Sequence, residues 1–155
     1  MRQALLLVLA VAGCISCGGT WEDDPKNWRR IFGEKQPLDV EIVHSRYWLS
    51  PHWTHEFSFH LHLKANERYE KELKERYNMV RGTRPGPRRW ADGPEVVWNG
   101  EDNDWGRCSG TTDWFTPKPV ENYDVWVEPG DPTWHHLTLY VDRDTHELFL
   151  CDVQL

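Results

Sequence analysis

The feature that most constrains the fold is the alternation of apolar and polar side chains between His55 and Lys64, the clearest in the sequence. Successive side chains of a β-strand point to opposite faces, so this pattern predicts a strand with one buried face. The two faces would carry Phe57, Phe59, Leu61 and Leu63 on one side and Glu56, Ser58, His60 and His62 on the other. The β-branched and aromatic run from Leu38 to Trp48 predicts a second strand, joined to the first in an antiparallel hairpin.

The remaining patterns predict an α+β domain. Asp24-Pro25 and Gly33 bracket a short N-terminal helix, as a capping residue and a stop. Asn66 is placed to cap an amphipathic helix that runs to about Val80. Three further strands are expected over residues 123–128, 134–141 and 147–153. Because strands and helices do not alternate regularly, we predict an antiparallel sheet of about five strands with the amphipathic helix packed on one face.

The N-terminus predicts an export signal. Met1-Arg2-Gln3 is followed by an unbroken run of apolar or small residues from Ala4 to Gly13. This run is too short to span a bilayer, which takes about 20 apolar residues in a helix, and its positive start is typical of a signal peptide.

The end of this run, Val11-Ala12-Gly13-Cys14, resembles the lipobox of bacterial lipoproteins, in which an aliphatic residue and two small residues precede the acylated cysteine. The resemblance implies cleavage before Cys14, attachment of several acyl chains there, and anchoring of the protein to a bilayer in the cell envelope. The chain would then consist of a signal peptide (residues 1–13), a lipidated tether (14–20) and a single domain (21–155).

Two questions about the localisation of the protein stay open at this point. Ala10-Val11-Ala12 also satisfies the small-x-small rule for ordinary signal cleavage, which would release a soluble protein that begins at Gly13. Ile15 stands where inner-membrane lipoproteins usually carry aspartate. By that resemblance we expect a periplasm-facing protein of the outer membrane.

Charge and cysteine content limit the partners and the redox state. The formal net charge is −7, and phosphate binding needs a basic surface, so no nucleic-acid partner is expected. Of the four cysteines, Cys14 would be lipidated and Cys17 lies in the tether. Cys108 and Cys151 are therefore predicted to form a disulfide in an oxidising envelope. A buried free thiol at Cys151 is the alternative.

The histidines suggest a metal site only weakly. His60 and His62 share one face of the predicted strand, where they can offer two imidazoles to zinc or copper. A third ligand would have to come from His44, Glu56 or His136. A tetrahedral site needs at least three protein ligands, so we predict no metal, no cofactor and no catalytic residues, and we keep a small metal-dependent envelope enzyme as the alternative function.

The long irregular stretch at residues 81–119 contains the strongest sign of binding. A loop of this length is functional or contains elements that the pattern does not show, such as a short strand at residues 95–98. It carries four of the ten tryptophans, Trp90, Trp98, Trp105 and Trp114. Exposed tryptophans stack on sugars or anchor protein interfaces, whereas buried ones would form a satellite cluster beneath the loop. The leading hypothesis is a non-enzymatic module that binds an envelope protein or a glycan.

Overall fold

The structure, a computed structural model, describes residues 18–51, 56–82, 112–129 and 137–154. Within these residues the chain forms one antiparallel sheet of seven strands, together with two α-helices. The predicted α+β class and antiparallel sheet are confirmed, and the sheet is larger than the five or so strands expected. The described helices include none long and apolar enough to cross a bilayer.

The described elements follow one another along the chain in a simple order. Their bounds are β1 (Gly19–Glu22), α1 (Asn27–Phe32), β2 (Val40–Leu49), β3 (Phe57–Ala65), α2 (Glu67–Arg76), β4 (Val80–Arg81), a 3₁₀ turn (Val120–Asn122), β5 (Tyr123–Val127), β6 (Thr138–Asp142) and β7 (Leu148–Gln154). The order across the sheet is β1-β2-β3-β7-β6-β5-β4. Two antiparallel meanders, β1 to β3 and β4 to β7, therefore meet where β3 pairs with β7.

The first face of the sheet is covered by the two helices. The alternation that predicted β3 is confirmed, because Phe59, Leu61 and Leu63 are buried in the core on this face. The core continues across β6 and β7 and receives the buried side chains of both helices. These are Trp28 of α1 and Tyr69 and Leu73 of α2. The Trp28 ring contacts both Phe32 and Tyr69, with centroids 4.5 and 6.1 Å away, so the helices share one apolar layer.

Helix α2 has the N-cap that its sequence indicates, whereas the N-cap position of α1 is Lys26, whose side chain makes no capping hydrogen bond, and not the predicted Asp24. The Asn66 side chain accepts a hydrogen bond from the Tyr69 N–H at 2.9 Å, as the predicted cap of α2. Asp24 accepts a hydrogen bond from the Lys26 N–H at 2.8 Å. Gly33 ends α1 with φ +71° and donates its N–H to Arg29, a left-handed conformation that glycine adopts without strain. Helix α2 ends at Arg76 and not near Val80, because the chain turns through Asn78 at φ +49° to enter β4.

Two strands were missed by the sequence prediction, and both lie at the edges of the sheet. β1 begins at Gly19, inside the range assigned to the tether, and β4 covers only Val80–Arg81. A short edge strand has one neighbour and buries few side chains, so it leaves almost no alternation in the sequence. The strand expected at residues 95–98 lies outside the described residues.

The start of β1 is fixed by a close approach of two backbones. A Cβ atom added to Gly18 would clash with the backbone of Ser50 and Pro51, lying 2.6 Å from the Ser50 carbonyl carbon. The neighbouring Gly19 has room, since its added Cβ would meet only the Trp21 ring at 3.4 Å. The chain that precedes β1 is thus held against the connection that leaves β2.

We therefore expect Gly18→Ala to lower the free energy of unfolding by about 1–3 kcal/mol, the usual cost of forcing atoms into a filled space. The matched control is Gly19→Ala, one residue further on, which should change stability by less than about 0.5 kcal/mol. Urea denaturation followed by circular dichroism measures both. Equal stability of the two variants would contradict the close approach.

Candidate functional site

The second face of the sheet, opposite the helices, carries a row of aromatic rings. His44, His62 and Phe149 are directly paired across β2, β3 and β7. The His62 ring stacks on Phe149 with centroids 4.3 Å apart, and His44 lies 6.1 Å from His62. Trp114 continues the row by stacking on His44 at 5.3 Å. We call these four residues the ring row.

Each of the two histidines in the ring row has its own carboxylate. His62 Nε2 lies 2.9 Å from Glu147 Oε2, and His44 Nδ1 lies 3.3 Å from Asp23 Oδ2. Lys64 Nζ also approaches Glu147 Oε1, at 3.8 Å. These carboxylates come from different loops and point the two imidazoles toward separate partners. The arrangement orients the rings for packing.

A metal centre is not assembled by the described residues. A metal needs ligand atoms that converge on one point, and in the described part of the chain no group of three or more His, Cys, Asp or Glu side chains does so. His60 is 1% exposed and packs edge-on against Phe115 with centroids 4.9 Å apart. The other suggested ligands include His136, which lies outside the described residues.

The polar face of β3 is covered by the end of the long loop. Phe115 is buried on this second face, where its ring lies edge-on to His60, Tyr140 and Phe149. Trp114 is half-buried between His44 and Phe115. The histidines of β3 were expected to face solvent as the polar side of an amphipathic strand, but an aromatic pair from the loop covers them. Sequence reasoning missed Phe115, although an apolar pair at the end of a polar loop was the available signal.

An ion pair between Lys118 and Asp142 holds the end of the long loop in place. Lys118 Nζ lies 2.8 Å from Asp142 Oδ2, whose side chain is only 4% exposed, and the Lys118 N–H donates to the Tyr123 hydroxyl at 3.1 Å. Asp142 Oδ1 also accepts the N–H groups of Asp144 and Thr145 in the β6–β7 turn. The Asp142 carboxylate therefore joins the loop to the turn.

The charge state of Asp142 reflects these contacts. Burial alone would raise its pKa, but the Lys118 ammonium and the two backbone donors outweigh burial and hold the pKa below its usual range. The same contact, with a second from Asp144, raises the pKa of Lys118. Both groups are therefore charged at neutral pH.

The residues that precede the long loop are also anchored. The Gly82 N–H donates to Val125 O at 2.8 Å, and Arg81 Nη2 lies 2.7 Å from Asp124 Oδ1. Arg81 extends β4 at one edge of the sheet, whereas Trp114 contacts His44 on β2, near the other edge. Residues 81–82 are thus attached at the β4 edge, whereas Trp114 reaches β2 and Phe115 packs over the central strands β3, β6 and β7.

The remaining predicted site residues fall into two groups. Cys151 lies on the second face, is fully buried and is disulfide-bonded, with its partner outside the described residues. Trp114 is placed as described above. Outside the described residues lie Cys14, Cys108, Trp90, Trp98 and Trp105.

Comparisons with known proteins give no relative from which a function can be transferred. We find no match to this chain among protein families, curated proteins or solved structures.

We expect Asp142→Asn to lower the free energy of unfolding at pH 7 by about 1.5–3 kcal/mol, the worth of hydrogen bonds to a charged group. Because the pKa of Asp142 is lower in the folded than in the unfolded state, its stabilisation is present above the unfolded pKa of about 3.9 and is lost as pH falls through the folded pKa. The difference between variant and wild type should therefore shrink as pH falls below about 3.9.

The control is Asp144→Asn, which also removes a contact to Lys118 but at a side chain that is 73% exposed. It should cost less than about 1 kcal/mol at any pH. Denaturant titrations from about pH 2 to pH 7 measure both variants. A loss in Asp142→Asn that persists undiminished in acid would show that the carboxylate does not act through its charge.

Proposed function

We propose that this protein is a bacterial envelope lipoprotein, acylated on Cys14, whose domain acts as a non-enzymatic binding module. The observation that carries the proposal is Val11-Ala12-Gly13-Cys14 at the end of an apolar run, since acylation there supplies the several chains that stable anchoring takes. The disulfide at Cys151 supports export independently, because disulfides persist in oxidising compartments outside the cytosol. The proposed location is the outer membrane, facing the periplasm.

We propose Cys108 as the partner of Cys151. Cys17 adjoins Gly18 at the end of β1, and β1 is three strand spacings, about 14 Å, from β7. Disulfide-bonded cysteines have Cα atoms less than about 7 Å apart, so the position of Gly18 argues against its neighbour Cys17, and Cys14 is the residue proposed to carry lipid. Cys108 is four residues before Thr112, in the segment whose Phe115 belongs to the same apolar cluster as Cys151. Such a bond would hold the loop to the sheet.

The proposed binding surface is residues 83–111, the part of the irregular stretch predicted at residues 81–119 that lies outside the described residues. Its flanking residues are anchored to a rigid sheet at Gly82 and at Phe115, an arrangement by which many folds present binding residues. Trp114 belongs to the attachment of the loop, because it packs on His44 and Phe115. Trp90, Trp98 and Trp105 are then the side chains proposed to contact a glycan or an envelope protein. The negative net charge of −7 argues against nucleic acid as that partner.

The metal-dependent enzyme has no observation in its favour among the described residues. His44 and His62 each bond to a separate carboxylate, and His60 packs beneath Phe115. We therefore retain the binding module as the single proposal.

Lipidation has a direct test in the membrane fraction of cells that express the full chain. Intact mass should show loss of residues 1–13 and added acyl mass on Cys14, because the lipobox directs both steps. Cys14→Ser should remain unprocessed or appear in the soluble fraction, and Cys17→Ser is the matched control that should stay acylated. Wild-type protein recovered only as a soluble form that begins at Gly13 would overturn the lipoprotein proposal.

The binding loop is tested by two tryptophan variants with opposite expectations. Trp105→Ala should leave the melting temperature unchanged and lower binding to a panel of envelope oligosaccharides and purified peptidoglycan by tenfold or more, about 1.4 kcal/mol. Trp114→Ala should lower the free energy of unfolding by about 2 kcal/mol, roughly half the cost at a fully buried tryptophan. Calorimetry and pull-down assays measure the two effects. A large loss of stability in Trp105→Ala would assign that residue to a buried cluster instead.

A further inference from the structure

The chain enters the fold at one end of the sheet, and its point of entry is fixed. Gly19 pairs with Leu49, Leu49 with Phe57, and Phe57 with Gln154, so β1, β2, β3 and β7 all begin or end in the same place. Gly18 is held there against Ser50 and Pro51. We call this the tether end of the sheet, defined by Gly18, Leu49, Pro51, Phe57 and Gln154.

The chain between the acylated residue and the tether end is short. Four residue steps separate Cys14 from Gly18, and a fully extended chain spans at most about 3.6 Å per residue, or about 14 Å in all. β2 alone has ten residues and is therefore about 33 Å long. The tether is thus less than half as long as the sheet, and the domain cannot turn its opposite end toward the membrane without first moving Gly18 away from it.

Among the described residues, the strand ends at the tether end carry fewer exposed charges than the strand ends opposite. Gly18, Leu49, Pro51, Phe57 and Gln154 are uncharged, and the neighbouring acids, Glu56 before Phe57 and Glu128 after Val127, are half-buried. Behind them lie the half-buried rings of Tyr47 and Trp48, side chains that favour the headgroup region of a bilayer. The opposite end of the sheet carries many charged side chains with substantial exposure. These include Asp39, Lys64, Arg68, Arg143 and Asp144.

From the short chain between Cys14 and Gly18 and the residues at the tether end, we propose that this end of the sheet rests on the lipid headgroups of the membrane that holds the acyl chains. The strands are then directed away from the bilayer. The inference rests on acylation of Cys14, as proposed above. Lipid headgroups are the surface within reach of this end, because the chain from Cys14 to Gly18 spans at most about 14 Å, and Tyr47 and Trp48 behind it are side chains that favour the headgroup region.

The orientation can be measured on the full lipidated chain, labelled with nitrogen-15 and reconstituted in nanodiscs of phosphatidylethanolamine and phosphatidylglycerol. A small fraction of the lipid carries a gadolinium chelate on its headgroup, and matched discs carry the diamagnetic lutetium chelate. Paramagnetic broadening falls steeply with distance. The amides of Gly19, Leu49 and Phe57 should therefore broaden several-fold more than those of Val40 and Ala65 at the opposite end of β2 and β3.

The matched variant has a Gly/Ser spacer of about 15 residues between Ser16 and Cys17, which adds a mean reach of about 20 Å. It should float with the discs like wild type but lose most of the gradient in broadening. Wild-type protein that floats and shows uniform broadening, or stronger broadening at Val40 and Ala65, would overturn the orientation alone. Failure of the wild-type chain to float with lipid would overturn the proposed lipidation and the orientation together.

Discussion

The rest of the structure depends on covering the second face of the sheet. The first face is buried by α1 and α2, whereas the described cover of the second face is irregular chain from the end of the long loop. Irregular chain cannot satisfy its backbone groups internally as a helix does, so it needs specific attachments. Phe115 supplies the apolar contact and Lys118 supplies the ionic one, to a buried Asp142. Breaking such a pair leaves an uncompensated charge, so the charge pair fixes where the loop can lie.

The histidines of β3 are polar residues of the strand that nevertheless contribute to packing. In a sheet with one solvated face, His60 and His62 would be ordinary exposed residues. Here the imidazoles serve as flat, half-apolar surfaces that stack on Phe149 and meet Phe115, while Glu147 receives the polar edge of His62. A polar side chain that presents a ring to its neighbours tolerates burial if its nitrogen finds a partner. Eight histidines in the sequence therefore do not by themselves indicate metal binding.

Sequence patterns predicted the helices and strands that bury one of their own faces. They failed for side chains that are buried by segments distant in the sequence. β3 and α2 were predicted because their own periodicity records a buried face. β1 was missed because its place beside β2 depends on contacts that form only in the folded chain, those of Gly18 with Ser50 and Pro51 and those of Asn27 with Trp21 and Ser45. Likewise, nothing in the alternation of β3 indicates that residues more than 50 positions away will cover its polar side. The ring row is a tertiary property, and the sequence alone predicted its members only as separate residues.

The position of β7 has a consequence for how the chain acquires its structure. β7 lies between β3 and β6, although it is the last strand in the sequence, and it joins residues as far apart as Phe57 and Gln154. Such non-local pairing forms slowly, because the chain loses the entropy of closing a long loop before it gains any stabilising contact. Until residues 148–154 are available, the two meanders remain separate ribbons, and the edges of β3 and β6 are open to pairing with other chains. The folding domain is therefore most exposed to aggregation before residues 148–154 join the sheet.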